Sequence, residues 1–240
     1  MKVVVATSDQ YLHLMNGFAY CFNKFWPGQE VDVLCYDIPQ GMPKNFHTCS
    51  LGSMEKHTWS SGIITMAGTM DEPFILMLED YWLTEEAKAQ DIAALHHYMM
   101  LNPRIGKIDL SGDRVQFAHV AWDEAPVPLV KAIWKDEDGK SLYRPNGGFK
   151  HKLFLTSVQA ALWRWEFIVD FFRWDEGPWE QEKNGTIRIV ESDTDWLLLG
   201  TGKPLLKYGN MAKAGKPLLI REDKGMTPEL LIELKRERLV

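Results

Sequence analysis

The sequence predicts an α/β protein with a buried central sheet, and three features of the chain carry that prediction. Residues 3–6 are apolar and mostly β-branched, as in a buried first strand. Residues 11–25 carry apolar side chains at helical spacing, and residues 31–36 return to a strand pattern. The chain therefore opens as strand, helix and strand. Residues 74–78 are an unbroken apolar run, which is typical of a strand covered on both faces.

The rest of the chain continues this alternation of strands and helices. Further strands are predicted at 45–51, 105–110, 150–154 and 205–208. Helices are predicted at 56–70, 85–101, 157–172, 193–199 and 226–240. Residues 115–150 scatter Asp, Glu, Gly and Pro and predict no clear element. Because no repeat, low-complexity tract or linker divides the chain, we expect a single domain over residues 1–240.

Composition and charge exclude several classes of protein. The 240 residues include 45% hydrophobic and 25% charged side chains, which is ordinary for a globular protein in water. A net charge of −6 provides no global basic field, so tight nonspecific binding of nucleic acid is disfavoured. Three cysteines without close spacing argue against a disulfide framework or a zinc site and for a reducing compartment. With no signal-peptide pattern and no apolar run of membrane-spanning length, we expect a cytoplasmic protein.

Two adjacent acids, Glu79 and Asp80, follow the apolar run at residues 74–78. In open α/β sheets, ligands bind beyond the carboxyl ends of the strands. Mg²⁺ and Mn²⁺ take oxygen ligands, and one or two carboxylates with a substrate diphosphate can complete their shell. The two acids are therefore predicted to bind a metal and a diphosphate. The alternative is a buried strand that ends in solvated charge.

Polar residues also follow the first predicted strand. Thr7, Ser8 and Asp9 lie at the start of the helix over residues 11–25, where they either hold a nucleotide base or ribose or only cap the helix. Trp59, one of ten tryptophans, is assigned to the wall of the same donor pocket. Neither a glycine-rich dinucleotide fingerprint nor a phosphate-binding loop follows the first strand, so both of those mechanisms are disfavoured.

Two further stretches are candidates for chemistry. Glu180 and Glu182 follow Gly177-Pro178 in a predicted loop beside Trp179, where desolvation would raise the pKa of a carboxylate towards the range of a general base. The alternative is a solvated acidic loop. Lys207 lies in a lysine- and glycine-bearing stretch that either neutralises a diphosphate or is a solvated surface. The seven histidines show no metal-ligand spacing.

Three short motifs in this order resemble those of small bacterial and phage-borne glycosyltransferases with the GT-A fold. They are Leu78-Glu79-Asp80-Tyr81, Ser157-Val158-Gln159-Ala160-Ala161-Leu162-Trp163 and Pro178-Trp179-Glu180-Gln181-Glu182. The resemblance spans roughly residues 1–210. It implies a Rossmann-type mixed central sheet flanked by helices in one domain. Residues 1–110 would form the nucleotide-sugar half, and residues 111–240 the acceptor and catalytic half with a C-terminal helix.

The resemblance also implies an activity. A hexosyl or pentosyl group would pass from a nucleotide-sugar, with UDP as the first candidate, to a saccharide hydroxyl or to a hydroxylated base in phage DNA. The acid-x-acid signature of the family binds the donor diphosphate through Mn²⁺ or Mg²⁺. Glu79 and Asp80 match it, whereas Tyr81 replaces its last acid and is assigned to donor binding. An inverting member needs a carboxylate base, for which Glu182 is the first choice and Glu180 the second.

Two other functions remain open from the sequence. One is a nucleotidyltransferase that makes a nucleotide-sugar, which would need a basic, glycine-rich stretch after the first strand. The other is a carbohydrate-binding protein without catalysis, which would explain the tryptophans without a nucleotide.

Overall fold

A mixed β-sheet forms the centre of the protein, as seen in a computed structural model that describes residues 1–51, 59–111, 119–138, 140–142, 154–213, 216–217 and 226–240. The strands within these residues are β1 (Lys2–Ala6), β2 (Val31–Cys35), β3 (Phe46–Ser50), β4 (Phe74–Leu78), β5 (Tyr81–Leu83), β6 (Ile105–Asp109), β7 (His119–Trp122), β8 (Leu129–Ala132), β9 (Ala161–Trp163), β10 (Leu197–Thr201), β11 (Tyr208–Asn210), β12 (Ala212–Lys213) and β13 (Lys216–Pro217). The helices are α1 (Met15–Phe25), α2 (Trp59–Ala67), α3 (Ala89–Leu101), α4 (Trp165–Phe171), α5 (Pro178–Glu191) and α6 (Pro228–Arg236), and a 3₁₀ helix at Asp9–Leu14 precedes α1.

The strand order defines which ends of the strands meet. Among the described residues the central sheet has nine strands in the order β3-β2-β1-β4-β9-β6-β10-β8-β7. Strands β3, β2, β1 and β4 are parallel, and β9 is antiparallel to both β4 and β6. Since β6 and β10 are parallel to each other, the carboxyl ends of β1, β2, β4, β6 and β10 meet at one edge. Strand β9 begins at this same carboxyl edge.

Helices cover both faces of the sheet. Val3 and Val5 of β1 pack into a core with residues of α1, α3 and α6, and Val4 and Ala6 pack into a second core with residues of α2, α4 and α5. This alternation is the period of two expected of a strand buried on both faces. The predicted fold class, α/β with a mixed central sheet flanked by helices, is confirmed.

The opening half of the chain follows its sequence pattern closely. Strands β1, β2, β3, β4 and β6 all lie within two residues of their predicted bounds. The helix after β1 begins with a 3₁₀ turn, and the Ser8 side chain makes no capping hydrogen bond. Helix α3 begins at Ala89 rather than at residue 85, and residues 81–83 form the separate strand β5. Of the predicted helix at 56–70, residues 59–67 form α2, and residues 56–58 lie outside the described residues.

The prediction of one helix over residues 157–172 is wrong. Residues 161–163 form β9, and only 165–171 form a helix, α4. Ala161, Leu162 and Trp163 are fully buried between β4 and β6. A central strand of this kind is apolar at every position, so its sequence cannot be told from that of a buried helix by periodicity.

Three other predictions of local structure also need correction. The helix expected at 193–199 is instead β10, which pairs with β6 and β8. The expected loop at Gly177-Pro178 is the start of α5, with Gly177 at the N-cap and Pro178 in the first turn, where proline is well tolerated. The strand expected at 205–208 begins only at Tyr208. The strand expected at 150–154 lies, except for Phe154, outside the described residues.

In the part of the chain that the structure describes, no helix has both the length and the apolar character needed to cross a bilayer.

Candidate active site

Glu79 and Asp80 form a tight turn between β4 and β5, at the carboxyl edge of the sheet, and we call this pair the acid turn. Glu79 is only 5% exposed, and its Oε1 accepts a hydrogen bond from the backbone N–H of Ser8 at 3.4 Å. Burial raises the pKa of Glu79 to about 8, and the charge of Asp80 adds to this effect. Burial likewise raises the pKa of Asp80 to about 7. The ends of β1 and β4 therefore meet at two poorly solvated carboxyl groups.

The acid turn has the properties of a partial cation site. Asp80 Oδ1 is buried and has no hydrogen-bond partner among the described residues. A buried carboxylate oxygen without a partner is costly, and a bound cation would remove that cost. Within the same residues no group of three or more metal-binding side chains occurs. Two carboxylates therefore fit Mn²⁺ or Mg²⁺ only where water and phosphate oxygens complete the shell.

Tyr81, at the third position of the acid-x-acid signature, holds the turn in place. Its ring stacks on Tyr208 with centroids 4.4 Å apart, and its backbone pairs with Asn210. The next residue, Trp82, donates its indole N–H to the carbonyl of Glu79 at 3.2 Å. The side chain of Tyr81 is thus 8% exposed and packed.

The residues after β1 lie beside the acid turn. Thr7 is buried and donates its hydroxyl to the carbonyl of Ser8 at 3.3 Å. Asp9 is exposed, and its Oδ1 accepts the backbone N–H of Asp37, at the end of β2, at 3.1 Å. Thr7, Ser8 and Asp9 therefore lie at the carboxyl edge of the sheet, where β1 and β2 end.

A second group of polar residues lies where β6 ends and β9 begins. Glu182, in the first turns of α5, accepts the backbone N–H of Val158 through Oε1 at 2.9 Å. Lys107 Nζ lies 2.6 Å from Asp109 Oδ1 and donates to the carbonyl of Ser157 at 2.5 Å. We call Glu182, Lys107, Asp109 and Ser157 the Glu182 cluster. Burial raises the pKa of Glu182, aided by the charge of Asp109 and opposed by the Val158 N–H, Lys107 and Ser157.

The two groups flank the start of β9. The ladder between β4 and β9 ends at the pair Leu76–Ala161, whereas the N–H of Leu110 still donates to the carbonyl of Ala160 beyond the end of β6. The segment that enters β9 therefore remains hydrogen-bonded to the chain just beyond β6. Strand β4 leaves the ladder at that point and continues into the acid turn. Strands β4 and β6 are two strand spacings apart, which is about 10 Å.

The structure gives Glu180 and Trp179 different surroundings from Glu182. Glu180 is exposed, and its Oε2 accepts the N–H of Gly177 at 2.9 Å, so it caps α5. Trp179 is 65% exposed and contacts Phe154 edge to face, with centroids 6.2 Å apart. Glu182 is half-buried, and burial raises its pKa.

Trp59 and Lys207 were also predicted to contact the donor. Trp59 is half-buried at the start of α2, 6.1 Å from the ring of Phe172, and its indole N–H has no partner among the described residues. Lys207 Nζ lies 2.8 Å from both carboxylate oxygens of Glu85. Its backbone pairs with Thr84, about 13 Å of extended chain from Asp80. In the described part of the chain, the Lys207 ammonium group is thus paired with Glu85 and not with Glu79 or Asp80.

Sequence reasoning missed Lys107 and Asp109. A signal was present, because these two charges alternate with apolar residues in a stretch predicted to be a strand. Charges inside a buried strand need a partner, and a lysine and an aspartate two residues apart lie on the same face of the strand.

Comparison with known proteins gives no sequence match. No family model matches the chain, and no curated protein matches it. Similar solved structures include UDP-glucose pyrophosphorylase complexed with UDP-glucose, with a TM-score of 0.48, 9% identity and coverage of 99% of this chain and 100% of that one. The galactosyltransferase LgtC in complex with donor and acceptor sugar analogues gives 0.40 and 10%, covering 81% of this chain and 68% of that one.

The glycosyltransferase GlyE of Streptococcus pneumoniae gives a TM-score of 0.40 at 9% identity, over 99% of this chain and 64% of that one. The chain spans 56% of the length of an active-site mutant of LgtC. Because the TM-scores and identities are this low, the description of the fold rests on the strand order given above.

Proposed function

We propose that the protein transfers a sugar from a nucleotide-sugar to an acceptor hydroxyl. The observation that carries this proposal is that partly buried carboxyl groups lie on both sides of the start of β9, at the acid turn and at Glu182. The acid turn, with its unpartnered Asp80 oxygen, suits the diphosphate of a donor. Glu182 suits the acceptor side, because its raised pKa makes it a better proton acceptor than an exposed glutamate.

On the donor side, Asp80 and Glu79 would hold Mn²⁺ or Mg²⁺. The cation would neutralise charge on the departing diphosphate. Thr7, Ser8 and Asp9 lie where the nucleoside would extend from the acid turn, across the ends of β1 and β2. A UDP-sugar is the first candidate donor.

On the acceptor side, Glu182 would take the proton of the acceptor hydroxyl. The hydroxyl oxygen forms a bond to the anomeric carbon while the bond from that carbon to the diphosphate oxygen breaks, and the nucleoside diphosphate leaves with the electron pair. Attack from the face opposite the leaving group inverts the anomeric centre. The hydrogen bond from Val158 orients the Glu182 carboxylate for this step.

No structural observation of similar weight supports either of the two alternative functions. A nucleotidyltransferase would need a basic, glycine-rich stretch after β1, and that position holds a 3₁₀ helix that begins with Asp9. A carbohydrate-binding protein without catalysis would use exposed tryptophans such as Trp179, but it would leave the buried acid turn without a role.

The test compares Glu182→Gln with Glu180→Gln, a matched change on the same helix. Binding of UDP and UDP-glucose is measured by calorimetry with and without Mn²⁺. Transfer is then measured with saccharide acceptors and with an oligonucleotide that carries a hydroxymethylated base. Glu182→Gln should lower kcat by about 10²–10⁴-fold with donor affinity unchanged, because only the base is lost.

Glu180→Gln should retain kcat within a few-fold. Equal losses in both variants would remove Glu182 from the role of base. If the wild-type protein binds saccharides but no nucleotide, the non-catalytic alternative is correct and sugar transfer is not.

A further inference from the structure

Strand β6 buries two opposite charges that the proposed chemistry does not itself require. Lys107 is 1% exposed and Asp109 is 6% exposed, and their neighbours in β6 are apolar. An ion pair in this position costs desolvation energy and is often no more stable than a pair of apolar residues. Apolar residues at these two positions would therefore stabilise the fold about as well as the ion pair does.

The contacts of Lys107 fix its ammonium group at the start of β9. It lies 2.6 Å from Asp109 Oδ1, 2.5 Å from the carbonyl oxygen of Ser157 and 4.7 Å from the centroid of the Trp163 ring. Because the side chain is fully buried, these contacts replace water around the charge.

One peptide group connects Lys107 to Glu182. The carbonyl of Ser157, which accepts from Lys107, and the N–H of Val158, which donates to Glu182, belong to the same planar unit. A cation at the oxygen and an anion at the N–H polarise that unit in the same direction, so each hydrogen bond strengthens the other. The position and charge of Lys107 are therefore transmitted to the Glu182 carboxylate.

We propose that Lys107 and Asp109 are positioning residues for Glu182 and act through the Ser157–Val158 peptide group. This inference rests on the proposed function, in which Glu182 is the base. Lys107 holds the peptide so that the Val158 N–H faces the carboxylate, and Asp109 holds Lys107. Neither residue touches the reacting atoms.

The charges facing Glu182 predict effects of opposite sign for two substitutions. Lys107 and Asp109 face it from β6, and Ser157 and Val158 face it from the segment that enters β9. Lys107→Met removes the positive charge and should raise the pKa of Glu182, whereas Asp109→Asn should lower it. Substitutions that only loosened the packing around Glu182 would give no such opposition of signs.

The first experiment needs no substrate. The free energy of unfolding is measured against pH for the wild-type protein, Lys107→Met and Asp109→Asn, each with and without Glu182→Gln. The pH dependence that Glu182→Gln removes is the titration of Glu182 in that background. We expect this titration to move to higher pH in Lys107→Met and to lower pH in Asp109→Asn, and movement in the same direction or none would overturn the proposal.

The second experiment measures turnover against pH. Lys107→Met should lower kcat by about 10-fold or more with donor affinity unchanged, since misplacing a catalytic group slows the reaction without weakening ground-state binding. The acid limb of its pH profile should move to higher pH. If Lys107→Met changes neither kcat nor the position of the acid limb of the pH profile, the proposal is overturned.

A double variant covers the case in which Lys107→Met does not fold. Lys107→Met with Asp109→Asn removes both charges and leaves no uncompensated ion in the core. It still lacks the donor to the Ser157 carbonyl, so its kcat should fall by a similar factor, and wild-type kcat in this variant would overturn the proposal. The two proposals can fail separately. If the pKa of Glu182 moves in opposite directions in the two variants but the wild-type protein transfers no sugar, the proposed function is overturned and the coupling between Lys107 and Glu182 is retained.

Discussion

Replacing Glu79 with Gln tests the burial of the acid turn through the pH dependence of stability. The Glu79 side chain is 5% exposed, and burial raises its pKa from 4.5 to about 8. Between these two values the folded protein binds more protons at this site than the unfolded chain does, so raising the pH favours unfolding. The destabilisation is absent below a pH of about 4.5 and complete above a pH of about 8.

The size of the effect follows from the same two values. The interval from 4.5 to about 8 corresponds to about 5 kcal/mol, at about 1.4 kcal/mol for each tenfold change in proton binding. The wild-type protein should therefore lose up to about 5 kcal/mol relative to Glu79→Gln as the pH rises through this window. Asp80, whose pKa is raised to about 7, titrates in both proteins and largely cancels in the difference.

Urea denaturation from about pH 5 to about pH 9 measures this difference, because the free energy of unfolding extrapolates linearly to water. Glu86→Gln, an exposed position shortly after the acid turn, is the matched control and should give a difference that does not vary with pH. A flat difference for Glu79→Gln as well would refute the reasoning from burial.

Adding excess Mn²⁺ to the same experiment tests the acid turn as a cation site. A cation that binds the ionised acid turn should restore stability to the wild-type protein near pH 8 by mass action, at about 2.7 kcal/mol for a concentration 100-fold above Kd. It should restore less in Glu79→Gln. No recovery in the wild-type protein would contradict the cation site and leave the burial of Glu79 intact.

Two glycine substitutions test the packing behind the two carboxylate groups. A methyl group on Gly17 would overlap the indole of Trp82, which holds the acid turn, so Gly17→Ala should cost about 1–3 kcal/mol in urea denaturation and weaken the binding of Mn²⁺. A methyl group on Gly185 would lie 2.6 Å from Thr156 Oγ1, so Gly185→Ala should displace α5, with a similar loss of stability and a lower kcat. Gly68→Ala, where the nearest atoms lie 3.6 Å away, is the control for both, and a cost as large there would contradict the packing argument.

Local pattern was enough to predict the first half of the sheet. Strands β1, β2 and β4 are short apolar runs bounded by polar or turn residues, and α1 separates the first two with a clear helical period. The acid turn was predicted for the same reason, because it immediately follows such a run.

The second half could not be predicted in the same way, because its elements depend on distant partners. Ala161 to Trp163 form a strand only because β4 and β6 supply hydrogen bonds on both sides. Glu182 was recognised by motif, but its surroundings come from Lys107 and Asp109, more than seventy residues earlier in the chain. Sequence spacing does not show contacts of that range.

The antiparallel direction of β9 explains why these distant residues can form one site. Its first residues, not its last, lie at the edge where β4 and β6 end, so the Ser157–Val158 peptide group is available there to both Lys107 and Glu182. If β9 ran parallel to its neighbours, Arg164 would lie at this edge and that peptide group at the opposite one. The carboxyl edge would then keep the acid turn, but Glu182 would have no hydrogen bond from the sheet and no connection to the charge of Lys107. The reversed direction of β9 between β4 and β6 is thus what brings the Ser157–Val158 peptide group to the carboxyl edge, where it contacts both Lys107 and Glu182.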